Sequence, residues 1–253
     1  MDRGTYIAAS GGLAQFRKLE IVNNNLANIN TVGFKREVIE GQAQSFEDTL
    51  ASVISTNDPF AKGDQQRTPA IVNVGASTDF SVGPIQSTGN SLDVALRNTN
   101  EFFAVNTPQG LQYTRAGNFT LNSEGTLVTQ DGFEVQGDGG AIQITGPGAA
   151  IQSDGTVVAN GTIQGVLAVY KAEDPQVLER AGGNRFSTKT AGAALTQVTA
   201  NLVTKSLEMS NVSAITSVTD LMSAQRAFQM YTKTAESIDT INQTAINQIG
   251  RRT

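Results

Sequence analysis

At both ends of the chain, apolar side chains recur in alternating steps of three and four. Between about Thr5 and Asn28, Tyr6, Ala9, Leu13 and Phe16 show this spacing, and after one further step of three Leu19, Val22, Leu26 and Ile29 repeat it. All eight fall near one stripe of a helix, as narrow as a coiled-coil seam. From about Ser213 to Ile249 the pattern runs unbroken through Leu221, Ala224, Phe228, Tyr231, Ala235, Ile238, Asn242, Ala245 and Ile249. At about 1.5 Å per residue that helix is roughly 50 Å long, so it projects or lies along another long helix.

The middle of the chain changes period. Leu92, Val94 and Leu96 alternate with Asp93 and Arg97, and 102–105, 112–115, 119–121, 126–129, 133–135 and 166–170 are further short strand candidates. Turn residues separate them, among them Asp131-Gly132, Gly137 to Gly140, Gly146 to Gly148, Asp154-Gly155 and Asn160-Gly161. Short strands at intervals near ten residues predict an antiparallel all-β domain, either a sandwich or an irregular barrel. The fold class is therefore mainly β with long terminal α-helices: coiled-coil helices at the two ends flank a central antiparallel β-domain. The expected divisions are an N-terminal helix over 1–34, an extended arm over 35–85, the β-domain over 86–188, a return arm over 189–212 and a C-terminal helix over 213–253.

Helix propensity opposes the first helix. Gly11, Gly12, Asn23, Asn24, Asn25 and Asn28 each cost roughly 0.5 to 1 kcal/mol relative to Ala inside a helix. Packing against a partner must supply the difference, which predicts a segment that orders on assembly. The other faces of the second helix are mostly Ser, Thr, Gln and Asn, which suits close neighbours on more than one side, and Asn242 on the seam fixes register. Leu13, Phe16, Leu19, Val22 and Leu26, with Leu221, Phe228, Tyr231, Ile238 and Ile249, are the predicted subunit-interface residues. Truncating a buried Leu or Phe among them is expected to cost roughly 2 to 5 kcal/mol.

Composition then narrows the chemistry. The 253 residues include no His, Cys or Trp, which removes the usual general base, the commonest metal ligand and every thiolate. The net charge of −5 and the absence of a basic cluster interleaved with aromatics argue against nucleic acid. Met1 to Ser10 contain no apolar stretch of about 7 to 15 residues, so no secretory h-region is read there, and no later run reaches membrane-spanning length. Asp138-Gly139-Gly140 and Ser153 to Thr156 read as plain β-turns rather than calcium loops. Gly11-Gly12 and Gly182-Gly183 lack the context of a phosphate loop. No catalytic, cofactor or metal site is assigned, although two of the 23 acidic residues could in principle converge for glycoside hydrolysis.

Three blocks resemble one known family. Asn24, Asn25, Leu26, Ala27 and Asn28, continuing through Ile29-Asn30-Thr31-Val32 to Gly33, Phe34, Lys35 and Arg36, resemble the N-terminal signature of bacterial flagellar rod and hook proteins. Tyr113 to Phe119 with Gly125 to Thr129 is similar to the family's central β-domain, and Leu207 to Val212 followed by Ala224 to Phe228 to its C-terminal helix entry. The resemblance implies a structural, non-enzymatic axial subunit whose two ends form an inner helical tube, with the β-domain outside. It also implies export through the flagellum-specific apparatus without a cleaved signal peptide, and a place in the rod crossing the periplasm. The implied partners are copies of itself, other rod and hook subunits, the surrounding rings and the export apparatus, with no nucleic acid and no membrane span. One β-domain, and a segment 47–85 unlike the long insert of the distal type, favour the proximal rod type over the distal one. Asn98 and Asn100 depart from the family, which often has glycines there; asparagine also tolerates left-handed backbone, so the turn is compatible with it. Rival classes are a rod-associated peptidoglycan hydrolase and an export chaperone or cap.

Overall fold

The computed structural model describes residues 3–45, 70–189 and 195–250. In chain order an N-terminal helix, α1 (Arg3–Ala27), is followed by a run of short strands and then by a C-terminal helix, α2 (Ala214–Gly250). The chain divides into two compact units. The first holds Met1–Leu26, Glu37–Ser77 and Ala214–Thr253, and the second Ala27–Arg36 and Thr78–Ser213.

In the first unit α1 forms despite its glycines because one of them admits a neighbour. A Cβ on Gly11 would lie 2.4 Å from Cε1 of Tyr231 on α2, so only a residue without a side chain lets that ring approach. The rings of Phe16 and Phe228 lie 6.2 Å apart between centroids, a second point at which the two helices touch. Ala8, Ile21, Val22 and Asn25 are buried. Helix α2 has 37 residues, which corresponds to roughly 55 Å.

The hydroxyls on α2 do not need a second helix. Thr219, Thr232, Thr234, Ser237, Thr240 and Thr244 each donate to the carbonyl four residues earlier, which satisfies them within their own helix. Ile215, Val218, Met222, Met230 and Ile241 stay exposed on α2. Strands Glu37–Ser45 and Ala70–Thr78 pair with each other, so the segment read as an extended arm begins and nearly ends in paired strands. Residues 46–69 of that arm lie outside the described residues.

The second unit is built on an antiparallel sheet. Its strand order is Leu178–Gly182, Arg185–Thr188, Gly110–Thr114, Glu101–Thr107, Glu134–Gly137, Leu127–Val128 and Thr120–Leu121. The strand Glu101–Thr107 is covered on both faces: Phe103 and Val105 join one hydrophobic cluster, while Phe102 and Ala104 join the other. A strand buried on both sides has no reason to alternate, so its sequence reads as a continuous apolar run. Edge-on aromatic contacts knit the clusters, with Phe103 against Phe119 at 5.2 Å and Phe80 against Phe102 at 5.5 Å. Asn160 and Gly161, at φ of 51° and 75°, turn strand Thr156–Ala159 into Thr162–Val166, as the two-residue hairpin signal predicts.

The return segment is integral to this unit. Thr196–Val198, Leu202–Thr204 and Ser206–Glu208 pair with Val169–Lys171, Val94–Leu96 and Ile85–Ser87. Within the return segment read over 189–212, the described residues from 196 to 208 thus include three paired strands, while residues 190–194 lie outside the described ones. Three-residue strands carry too few positions to show a period, and Ser206, Leu207 and Glu208 are all buried.

Backbone packing is tightest where the Val94 strand crosses Gly117. A Cβ there would sit 1.8 Å from the Val94 carbonyl oxygen, whereas one on Gly139 meets nothing within 4 Å. Gly117→Ala is expected to destabilise the protein by roughly 3 kcal/mol, and Gly139→Ala by less than about 0.5 kcal/mol; urea unfolding of the two variants measures both.

Candidate functional site

The predicted helix residues divide by environment. Val22 is buried, Leu19, Leu26, Leu221, Phe228 and Ile238 are half-buried, and Tyr231 is exposed at the rim over Gly11. Leu13 and Phe16 are 70% and 50% exposed, so the first seam is only partly covered within its own unit. The side chain of Ile249 lies outside the described ones. Asn25 sits on the buried face of α1, and its side-chain amide exchanges two hydrogen bonds of 2.8 Å with the backbone of Glu37, donating to the carbonyl and accepting from the N–H. The side chain thereby stands in for a strand partner, which no apolar residue can do.

The second unit contains a buried ionic network. Glu208 accepts from Lys35 Nζ at 2.5 Å and from the Gly83 N–H at 2.9 Å on one oxygen. Its other oxygen accepts from Arg115 Nε at 3.0 Å and lies 2.9 Å from Nη2. The side chains of all three charged residues are fully buried. Lys35 donates further to the Ser81 carbonyl at 2.6 Å, and Arg115 Nη1 donates to the carbonyls of Asn98 at 2.5 Å and Glu101 at 2.6 Å. Two cations on one carboxylate would leave a net buried charge, but Glu101 lies close enough to Arg115 to act on it electrostatically. Charges so far from water persist only when paired and hydrogen-bonded in this way.

The backbone around the network is equally constrained. Gly33 has φ of 65°, and a Cβ on it would lie 2.5 Å from the backbone of Arg115 and Ala116. Its N–H donates to the Glu208 carbonyl at 2.7 Å. Phe34 is buried with the Arg180 guanidinium 4.6 Å above its ring, a cation–π contact. Arg36 pairs with Asp79 at 2.8 Å. The carboxyl of Asp79 is partly buried, which works to raise it, but hydrogen bonds from Ser81 and Arg36 outweigh burial and hold it below the usual carboxylate range.

Asn98 and Asn100 do not adopt left-handed backbone; among the described non-glycine residues only Asn160 and Lys205 have positive φ. Asn98 instead presents its carbonyl to Arg115 and donates its amide to Glu101 at 2.6 Å. Asp154 closes a plain turn by accepting from the Thr156 N–H at 2.9 Å.

The network joins the three sequence blocks, with Lys35 from the first, Arg115 from the second and Glu208 from the third. Family models match the chain over the same regions: a flagella basal body rod protein model at residues 6–35, a flagellar hook protein FlgE/F/G D1 domain at 98–165, and a flagellar basal body rod FlgEFG protein C-terminal model at 203–249. The flagellar basal-body rod protein FlgF of Caulobacter vibrioides is 32% identical, with 99% of each chain covered. The chain belongs to the family of flagellar basal-body rod proteins. FlgG of Bacillus subtilis is 33% identical over 98% of this chain and 99% of its own, and FlgG of Agrobacterium fabrum 34% over 94% and 95%. The protein is thus a structural subunit of the flagellar basal-body rod. Among the described residues no helix is long and apolar enough to cross a membrane.

Sequence reasoning quoted Lys35, Arg115 and Glu208 inside the family's blocks without giving them a role. Each block carries a charged residue, but the first also holds Arg36 and the third Arg226, and nothing in the spacing says which of them converge. Burial and the neighbouring Arg115 guanidinium push the Lys35 ammonium down from 10.5 to about 8, against the pull of Glu208. Between those values the unfolded chain holds more protons than the folded one, so stability rises with pH across that window. Subtracting the stability–pH curve of Lys35→Met from that of the natural protein is expected to show this rise above about pH 8 and a flat difference between pH 6 and 7.

Proposed function

We propose that the subunit joins the rod through α1 and α2, burying against neighbouring subunits the apolar side chains that its own fold leaves uncovered. The observation that carries this reading is the exposure of Leu13 and Phe16 on a helix whose opposite face is already packed. Val22, Leu19, Leu26, Leu221, Phe228, Tyr231 and Ile238 then act chiefly within the helical unit, Leu13 by meeting a neighbour, and Phe16 by both, since its ring packs on Phe228 and is half exposed. Ile249 belongs to the same set by its sequence spacing. Asn24, Asn25, Leu26, Ala27, Asn28, Gly33 and Phe34 shape the exit of α1, with Asn25 and Gly33 held by the contacts described above.

Repeated over many subunits, such interfaces make a stiff shaft that transmits torque across the periplasm, with the β-unit on its outside and no reaction catalysed. The partners are copies of this chain, other rod and hook subunits and the surrounding rings, reached after export without a cleaved signal. The single β-unit favours the proximal part of the rod. Support for these finer points comes from family membership together with the exposed helix residues.

Leu13→Asp tests the reading at a position the fold itself does not need. The free protein should unfold within about 0.5 kcal/mol of the natural one, while cells carrying it should yield basal bodies without the subunit and fail to swim. Normal rods and normal swimming with this variant would remove α1 from the interface.

A further inference from the structure

Both hydrophobic clusters of the β-unit draw their residues from between Phe80 and Leu202. Neither includes a residue of Ala27–Arg36 or of Ser206–Ser213, the two segments that adjoin α1 and α2 in the chain. Phe34, Leu207 and Val212 are buried but stand outside both clusters. Polar contacts do much of the fastening, and they run from one segment to the other. Gly33 N–H donates to the Glu208 carbonyl, and Asn211 N–H donates to the Phe34 carbonyl. Arg36 N–H donates to Asn211 Oδ1 at 2.8 Å, and Lys35 reaches Glu208. The Asn211 amide then donates to the Asp79 carbonyl at 2.9 Å and the Ser81 carbonyl at 3.2 Å, fixing both segments to the same short stretch.

We propose that Glu208 and Asn211 form a latch tying the entering segment Thr31–Arg36 to the leaving segment Ser206–Val212, and that it opens as one local unit while both hydrophobic clusters stay folded. The asymmetry of the ionic network supports this. Without Glu208, Arg115 keeps its carbonyl acceptors on Asn98 and Glu101 in the sheet, whereas Lys35 loses its counter-ion and keeps the Ser81 carbonyl. Arg115 loses the same counter-ion but stays anchored to the sheet by two carbonyls, so the entering segment loses the larger share of its fastening. Lys35 lies 173 residues before Glu208 and Arg115 lies 93 before it, so the ionic part of the fastening closes only when nearly all of the β-unit's chain is available. Local opening of this kind is expected where a segment is fastened outside the main core.

Hydrogen exchange of the full chain, read by mass spectrometry, tests the latch. In Asn211→Ala, which removes its side-chain contacts without leaving a charge unpaired, peptides over 29–36 and over 206–212 should lose protection together by about tenfold or more, while Glu101–Thr107 and Gly110–Thr114 keep theirs. Glu208→Gln should open the same two segments; if that variant does not fold, Asn211→Ala decides alone. Opening of 206–212 without 29–36, equal loss throughout the sheet, or no loss anywhere would each overturn the proposal.

Discussion

A single buried carboxylate sets the terms for the β-unit. Glu208 meets Lys35 and Arg115 where water does not reach, and charged groups there are tolerated only when every partner is in place. Removing any member would strand the others, so residues from three distant parts of the chain are bound to one geometry. The backbone follows: Gly33 is pressed against Arg115 and Ala116 at a positive φ, and Gly83 gives its N–H to the same carboxylate. A hydrophobic cluster tolerates rearrangement among similar shapes, but a charge-paired centre does not. Such a centre suits a part whose purpose is to keep its form.

The helical unit follows a different logic. Its intramolecular contacts are few and specific, with Tyr231 over Gly11 and Phe16 against Phe228, while large apolar side chains remain exposed on both helices. Hydroxyls along α2 close on their own backbone, which satisfies them without a neighbouring helix. The same glycine that weakens α1 as an isolated helix allows the close approach that pairs it with α2. Local propensity and tertiary packing thus pull in opposite directions at one position, and packing prevails.

Much of the fold was legible because it rests on local rules. Step lengths of three and four marked α1 and α2, and the Asn160-Gly161 turn marked a hairpin. The strands of the return segment were not, because three buried residues such as Ser206, Leu207 and Glu208 display neither alternation nor a continuous apolar run. The single stripe does not hold for Leu13 and Val22: nine residues apart, they lie about half a turn from each other on α1, and one is largely exposed while the other is buried. The three successive steps of three from Leu13 to Val22 each fall short of a full turn of about 3.6 residues, so they carry the apolar positions around the helix rather than along one stripe.

The residues by themselves determined the helical ends, the β-rich middle, the family resemblance and the lack of histidine and thiol chemistry, since each depends on local periodicity, short-range motifs or composition. Only the tertiary structure decided that Lys35, Arg115 and Glu208 share one centre, that Asn25 takes the place of a strand partner for Glu37, and that Asn98 serves Arg115 with its carbonyl rather than bending left-handed. These outcomes depend on contacts between residues that are remote in the chain, or on how one side chain is oriented against a particular backbone group. Periodicity carries no record of such meetings, because an electrostatic partner is chosen by distance in space.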